Sequence, residues 1–167
     1  LRVAESAGCP RVVFSPDGKF FTTETPDEVN LVRLWSIADV APLFEVRSAC
    51  WGAATSFSHD GGALAIAATA DIKVLDLTSR KVRSVLAGPL DEVHGIAINP
   101  KGDLLALVRE DYAVDIWSVD PPERLQTLHH SSFVNSLDFS PDGTALATAC
   151  SDEQTRIWEP LSGALVS

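Results

Sequence analysis

One five-residue phrase, FSPDG, stands at 14–18 and again at 139–143, with looser copies FSHDG at 57–61 and INPKG at 98–102. Their first residues, Phe14, Phe57, Ile98 and Phe139, are 43, 41 and 41 positions apart. A second series keeps the same interval: VRLWSI at 32–37, IKVLDL at 72–77, VDIWSV at 114–119 and TRIWEP at 155–160. Its central residues, Trp35, Leu75, Trp117 and Trp158, are 40, 42 and 41 apart. Two landmarks in fixed register define a tandem repeat with a period of roughly 40–45 residues, which is the length of four short strands and their turns. Any fold proposed for this chain must be built of four similar units.

Within each unit apolar residues alternate or run in short stretches, and turn residues interrupt them every eight to twelve positions, so the period is that of strands and never of a helix. In the last unit, strands are expected at 133–139, 144–150, 154–160 and 164–167, with Ser140-Pro141-Asp142-Gly143 as a turn in which Pro fixes φ and Gly takes positive φ. Fourth strands in the earlier units fall near 42–47, 81–86 and 123–128. A single four-stranded sheet cannot bury both its faces, so neighbouring sheets must stack, and radial stacking gives a β-propeller. The expectation is an all-β chain, one propeller segment over 1–167, with repeats at approximately 5–47, 48–88, 89–129 and 130–167. Small residues (Gly52, Ala53, Ala54, Gly95, Ala97) suit the crowded innermost strands.

FSPDG, the third-strand Trp and the period together resemble the WD-repeat family of β-propellers over essentially the whole chain. That resemblance implies a structural tetrad of His, Ser or Thr, Asp and Trp in each blade. The last repeat matches it with His130, Thr148, Asp152 and Trp158. The first keeps Thr23, Asp27 and Trp35 but has Glu5 in place of the His. The third keeps Asp111 and Trp117, with Pro89 and Leu107 at the other two places, and the second has Ser48, Ile66 and Leu75.

Hydroxyl, imidazole and carboxylate at Thr148, His130 and Asp152 are also the group types of a hydrolytic triad, but no GxSxG nucleophile turn accompanies them. A satisfied network tying a loop to two strands is the expected role. His129 and His130, adjacent on a strand, point to opposite faces and form no metal pair. No phosphate-binding GxxxxGK[ST] motif is present. Catalytic residues, cofactor and metal are therefore all expected to be absent. A net charge of −10 disfavours nucleic acid as the main ligand, because phosphate binding needs clustered Lys and Arg. No apolar run approaches the roughly 18 residues of a membrane span. Three cysteines, Cys9, Cys50 and Cys150, without metal-type spacing suit reduced thiols in the cytoplasm.

Trp51 lies outside the Trp register, where the second repeat's first strand begins, and an exposed aromatic there suits a protein partner. The family resemblance implies a partner-binding face that would also include Glu92, His94, Glu110, Phe133 and Asn135. Its acidic and aromatic character suits a basic protein or peptide segment. The expected function is a non-enzymatic protein–protein interaction scaffold; the alternative is the sensor or targeting portion of a longer multidomain enzyme. Four blades lie at the lower limit for a closed ring. Two expectations remain for the arc: a part of a larger propeller, or a homodimer closing a ring of eight.

Overall fold

The structure, a computed structural model, describes residues 11–25, 31–39, 41–48, 55–69, 71–87 and 93–167. Among them, four antiparallel sheets follow one another. The first holds β1 (Arg11–Phe14), β2 (Phe20–Thr25), β3 (Leu31–Ser36) and β4 (Phe44–Arg47). The second holds β5 (Thr55–Phe57), β6 (Ala63–Ala67), β7 (Asp71–Asp76) and β8 (Lys81–Ala87). The third is β9 (Val93–Ile98), β10 (Leu104–Arg109), β11 (Ala113–Val119) and β12 (Pro122–His129), and the fourth is β13 (Val134–Phe139), β14 (Leu146–Cys150), β15 (Thr155–Glu159) and β16 (Ala164–Leu165). In every sheet the strands pair in sequence order, as a meander does. The chain is all-β and the four sheets are four propeller blades.

Alternation along the strands gives each blade two faces, and consecutive blades stack face to face. The trailing face of blade one (Val32, Leu34) packs on the leading face of blade two (Leu64, Ile66, Leu75). Blade two turns Ala65, Ile72 and Val74 onto Leu105, Leu107 and the partly buried Trp117 of blade three. Blade three in turn presents Ala106, Val108, Val114 and Ile116 to Leu146 and Trp158 of blade four. Each fully buried Leu or Ile in these layers contributes about 1.5–3 kcal/mol by leaving water.

The repeated pentapeptide is a self-bonded turn. Ser15 Oγ donates to Asp17 Oδ1 (2.7 Å) and accepts from the Phe20 amide (2.9 Å), while Gly18 takes φ 68° and donates its amide to the Ser15 carbonyl (2.9 Å). Ser58 with Asp60 and Ser140 with Asp142 repeat this. The hydrogen bonds from Ser15 and Ser140 hold Asp17 and Asp142 down at about 2. In the divergent third copy Asn99 replaces the serine, and its Oδ1 accepts the amides of Asp103 (2.9 Å) and Leu104 (3.0 Å). The motif changes while the turn's donors stay satisfied.

These turns also touch across blades. A methyl on Gly61 would meet Asp17 at 3.2 Å, one on Gly102 would meet Ala63 Cβ at 2.9 Å, and one on Gly143 would meet Pro100 at 3.2 Å. Gly18, at the same place in blade one, faces open space. Val12 (56% exposed) and Phe14 (60%) lie on that same leading face, with no described blade over them.

The three tryptophans in register differ in burial, and Trp117 packs on the layer between blades two and three. Trp35 and Trp117 are only half-buried, whereas Trp158 is 8% exposed. Trp35 belongs to the uncovered leading face and stacks on Phe21 at 6.0 Å instead of packing under a neighbouring blade.

Candidate functional site

The first strands of the four blades line a concave cleft of about 670 Å³. Gly95 and Ala97 sit on this wall, where a Cβ on Gly95 would crowd a Val108 methyl at 3.3 Å and touch Leu137 at 3.5 Å. At the end where β9 and β13 begin, His94 meets Phe133 edge-on with ring centroids 5.1 Å apart. His94 Nε2 is buried and has no hydrogen-bond partner among the described residues. Beside this pair, exposed Asn135 donates from Nδ2 to Ser151 Oγ (2.9 Å), and the Ser151 amide donates to the Phe133 carbonyl (2.9 Å). Exposed Arg11 and Asp138 add one charge of each sign to the lining. His94, Phe133 and Asn135 are thus neighbours. Glu110 is exposed and does not line the cleft. Trp51, Glu92 and Asp27 lie outside the described residues.

In blade four the hydrogen bonds run in one direction. Trp158 Nε1 donates to Thr148 Oγ1 (3.0 Å), and Thr148 lies 2.9 Å from His130 Nε2. His130 Nδ1 is 3.1 Å from the Leu128 carbonyl, which can only accept, so Nδ1 carries the proton and Nε2 accepts from the threonine. Burial pushes the His130 pKa down, consistent with a neutral ring. Thr148 is 1% exposed, so its hydroxyl cannot meet a substrate. Asp152 is engaged elsewhere: Arg156 Nη2 donates to it at 2.7 Å, the Gln154 amide at 3.1 Å, and Ser131 Oγ also donates to it. Arg156 and Ser131 hold it well below the usual carboxylate range. The structure therefore joins His130, Thr148 and Trp158, while Asp152 anchors the loop through Arg156.

The WD domain, G-beta repeat, family profile matches residues 122–159, which span the outer strand of blade three and the first three strands of blade four. The chain is 26% identical over 159 residues to apoptotic protease-activating factor 1 of Danio rerio, covering 87% of this chain and 12% of that protein. It is 35% identical over 117 residues to an uncharacterized WD repeat-containing protein of Synechocystis (68% of this chain, 33% of that protein). To mouse coronin-7 it is 37% identical over 84 residues (49% and 9%). The chain belongs to the WD-repeat propeller family.

The other WD repeats depart from the blade-four arrangement in ways that chemistry explains. In the first, Trp35 Nε1 donates to Thr23 Oγ1 at 3.0 Å, the same bond as Trp158 to Thr148. In the third, Leu107 stands where the threonine would be, and Trp117 Nε1 is buried with no partner among the described residues. That blade holds a different polar group, which the sequence reading missed. Asp115, 3% exposed on β11, accepts from Thr127 Oγ1 (2.6 Å) and pairs with Arg109 (3.3 Å) and Arg124 (3.6 Å). Asp111 pairs with the same Arg109 at 3.2 Å. The signal available beforehand was Asp115 itself, the one charged residue on β11.

Replacing Trp117 by Phe removes an indole N–H that has no acceptor among the described residues, whereas Trp158→Phe strips Thr148 of its donor. The Trp158 variant should lose more stability, by about 1 kcal/mol or more. Urea unfolding of both checks this, and equal losses would contradict the bonding described. Among the described residues, no group of three or more His, Cys, Asp or Glu could hold a metal ion, and no helix is long and apolar enough to cross a membrane.

Proposed function

We propose that this WD-repeat chain is a non-enzymatic interaction scaffold that holds a peptide segment of a protein partner at the end of the cleft formed by His94, Phe133 and Asn135. The observation that carries this reading is the edge-on His94–Phe133 pair, whose buried His94 Nε2 lacks a partner among the described residues, next to exposed Asn135. An aromatic wall with a few convergent polar groups is what a side-chain anchor needs. Net charge −10 and the exposed carboxylate of Asp138 in the lining favour a basic segment.

Arrays of basic, neutral and acidic peptides, read by fluorescence anisotropy, test it. Basic peptides should bind best, and Phe133→Ala should weaken them at least about tenfold, near 1.4 kcal/mol, with the thermal transition unchanged. Undiminished binding by the variant would reject this site.

A second reading, the sensor or targeting portion of a longer enzyme, draws support from the 12% share of the Danio rerio relative that the chain spans. Under it, Phe133→Ala in the full-length protein should alter the regulation of an activity carried outside these residues.

A further inference from the structure

The loop 130–133, which leads from the outer strand of blade three into blade four, ends at Phe133 and is bracketed by two turns. On one side the His130 amide donates to the Tyr112 carbonyl (3.0 Å) between β10 and β11; on the other, Ser131 Oγ donates to Asp152 between β14 and β15. Tyr112 and Glu153 hold the same place in these turns, and both take positive φ, 65° and 64°. Blade four fills that place with a charged residue that water solvates, so the turn itself does not call for an aromatic ring. Tyr112 is nonetheless exposed, and its side chain makes no hydrogen bond and no ring contact among the described residues. Apart from Phe14 it is the one exposed Phe, Tyr or Trp among them. Charge on the two turns is one-sided as well. Arg109 is paired with Asp111 and Asp115, and Arg156 with Asp152, whereas the exposed carboxylates of Glu110 and Glu153 have no partner among the described residues.

We propose that the surface holding the basic segment runs outward from Phe133 along this loop to Tyr112, whose ring takes an arginine side chain of the peptide while Glu110 and Glu153 supply the opposite charge. The inference rests on the peptide-holding reading above and adds to it the place where the positive charge goes. A cation over the face of an exposed aromatic is attracted by the ring's quadrupole, and the flat guanidinium stacks there as an ammonium cannot. Carboxylates that already have an arginine partner offer such a cation little. Glu110, two residues before Tyr112, and Glu153, across the loop, are uncommitted. The span is short. Phe133 lies three residues after His130, so at most about 11 Å of backbone separates the cleft anchor from the residue bonded to Tyr112. An extended peptide rises about 3.3 Å per residue, which puts its arginine about three to five positions from the side chain held at Phe133.

Tyr112 is the only tyrosine in the chain, so labelling with fluorotyrosine gives one fluorine NMR signal that reports on this place alone. The probes are Gly/Ser peptides carrying one leucine and, three, four or five residues away, one arginine or its uncharged isostere citrulline. The arginine peptides should move the signal and the citrulline peptides should not. By fluorescence anisotropy, Tyr112→Leu should bind the best arginine peptide about three- to fivefold more weakly and lose most of its preference over the citrulline form, while Tyr112→Phe should bind as the parent does. Glu110→Gln, on an exposed side chain, should weaken the arginine peptide alone, and it takes over the test if the leucine variant fails to fold. A Tyr112→Leu protein that keeps the parent's preference for arginine would overturn the proposal, as would a signal that citrulline peptides move equally. Phe133→Ala separates the two readings. If it abolishes binding while Tyr112→Leu leaves binding unchanged, the cleft anchor stands and this surface falls; if none of the arginine peptides binds, both fall.

Discussion

Trp158→Ala is expected to lower stability by about 3–5 kcal/mol, the range for removing a large buried aromatic, and to move the urea midpoint accordingly. The indole fills the joint between blades three and four beside Ala106, Ile116 and Leu146, so truncation opens a void that two packed sheets cannot close. It also removes the donor to Thr148 and the edge-on contact with His130, whose centroid lies 5.2 Å away. For a domain with an ordinary reserve of about 5–15 kcal/mol, the loss consumes a large part of the whole. A variant that unfolds at the parent's midpoint would mean that Trp158 does not hold this joint together.

Gly102→Ala is the second large expectation, at about 2–5 kcal/mol. Two effects add: a φ of 69°, which costs an L-residue roughly 1–2 kcal/mol, and a Cβ placed 2.9 Å from Ala63 Cβ, an overpacking penalty of about 1–3 kcal/mol. Gly18→Ala is the internal control. Its φ is 68° and nothing lies near it, so it should show the backbone cost alone. If thermal denaturation gave equal losses for the two, the Gly102–Ala63 contact between blades two and three would contribute nothing.

The repeat register was legible because turn and core residues are dictated locally. A positive-φ glycine in each pentapeptide and an aromatic or Leu on each third strand are fixed by the blade itself, and their spacing survives where letters change, as at Asn99. Burial was less legible because it depends on what lies across a joint. Trp35 and Trp158 stand at equivalent positions, yet among the described blades one covers only the latter. The same holds for polar partners. Nothing in the third repeat's letters announces that Trp117 Nε1 goes without an acceptor, or that Arg109 and Arg124 converge on Asp115, since these arise from side chains meeting across strands. Of the candidate face, His94, Phe133 and Asn135 come together because their strands start at one end of the cleft. Glu110 follows β10 at that same end, where Arg109 pairs with Val93, yet its exposed side chain does not line the cleft.

Because every strand pairs only with the strand before or after it, each blade's hydrogen bonds can form as soon as about four dozen residues have left the ribosome, with no distant segment to wait for. The apolar layers obey a different clock. A newly made blade keeps one oily face exposed until the following blade arrives, so a pause in translation at any repeat leaves a finished sheet with a sticky side. Slow codons or a stalled ribosome in the repeat region would therefore be met as aggregation of native-like intermediates.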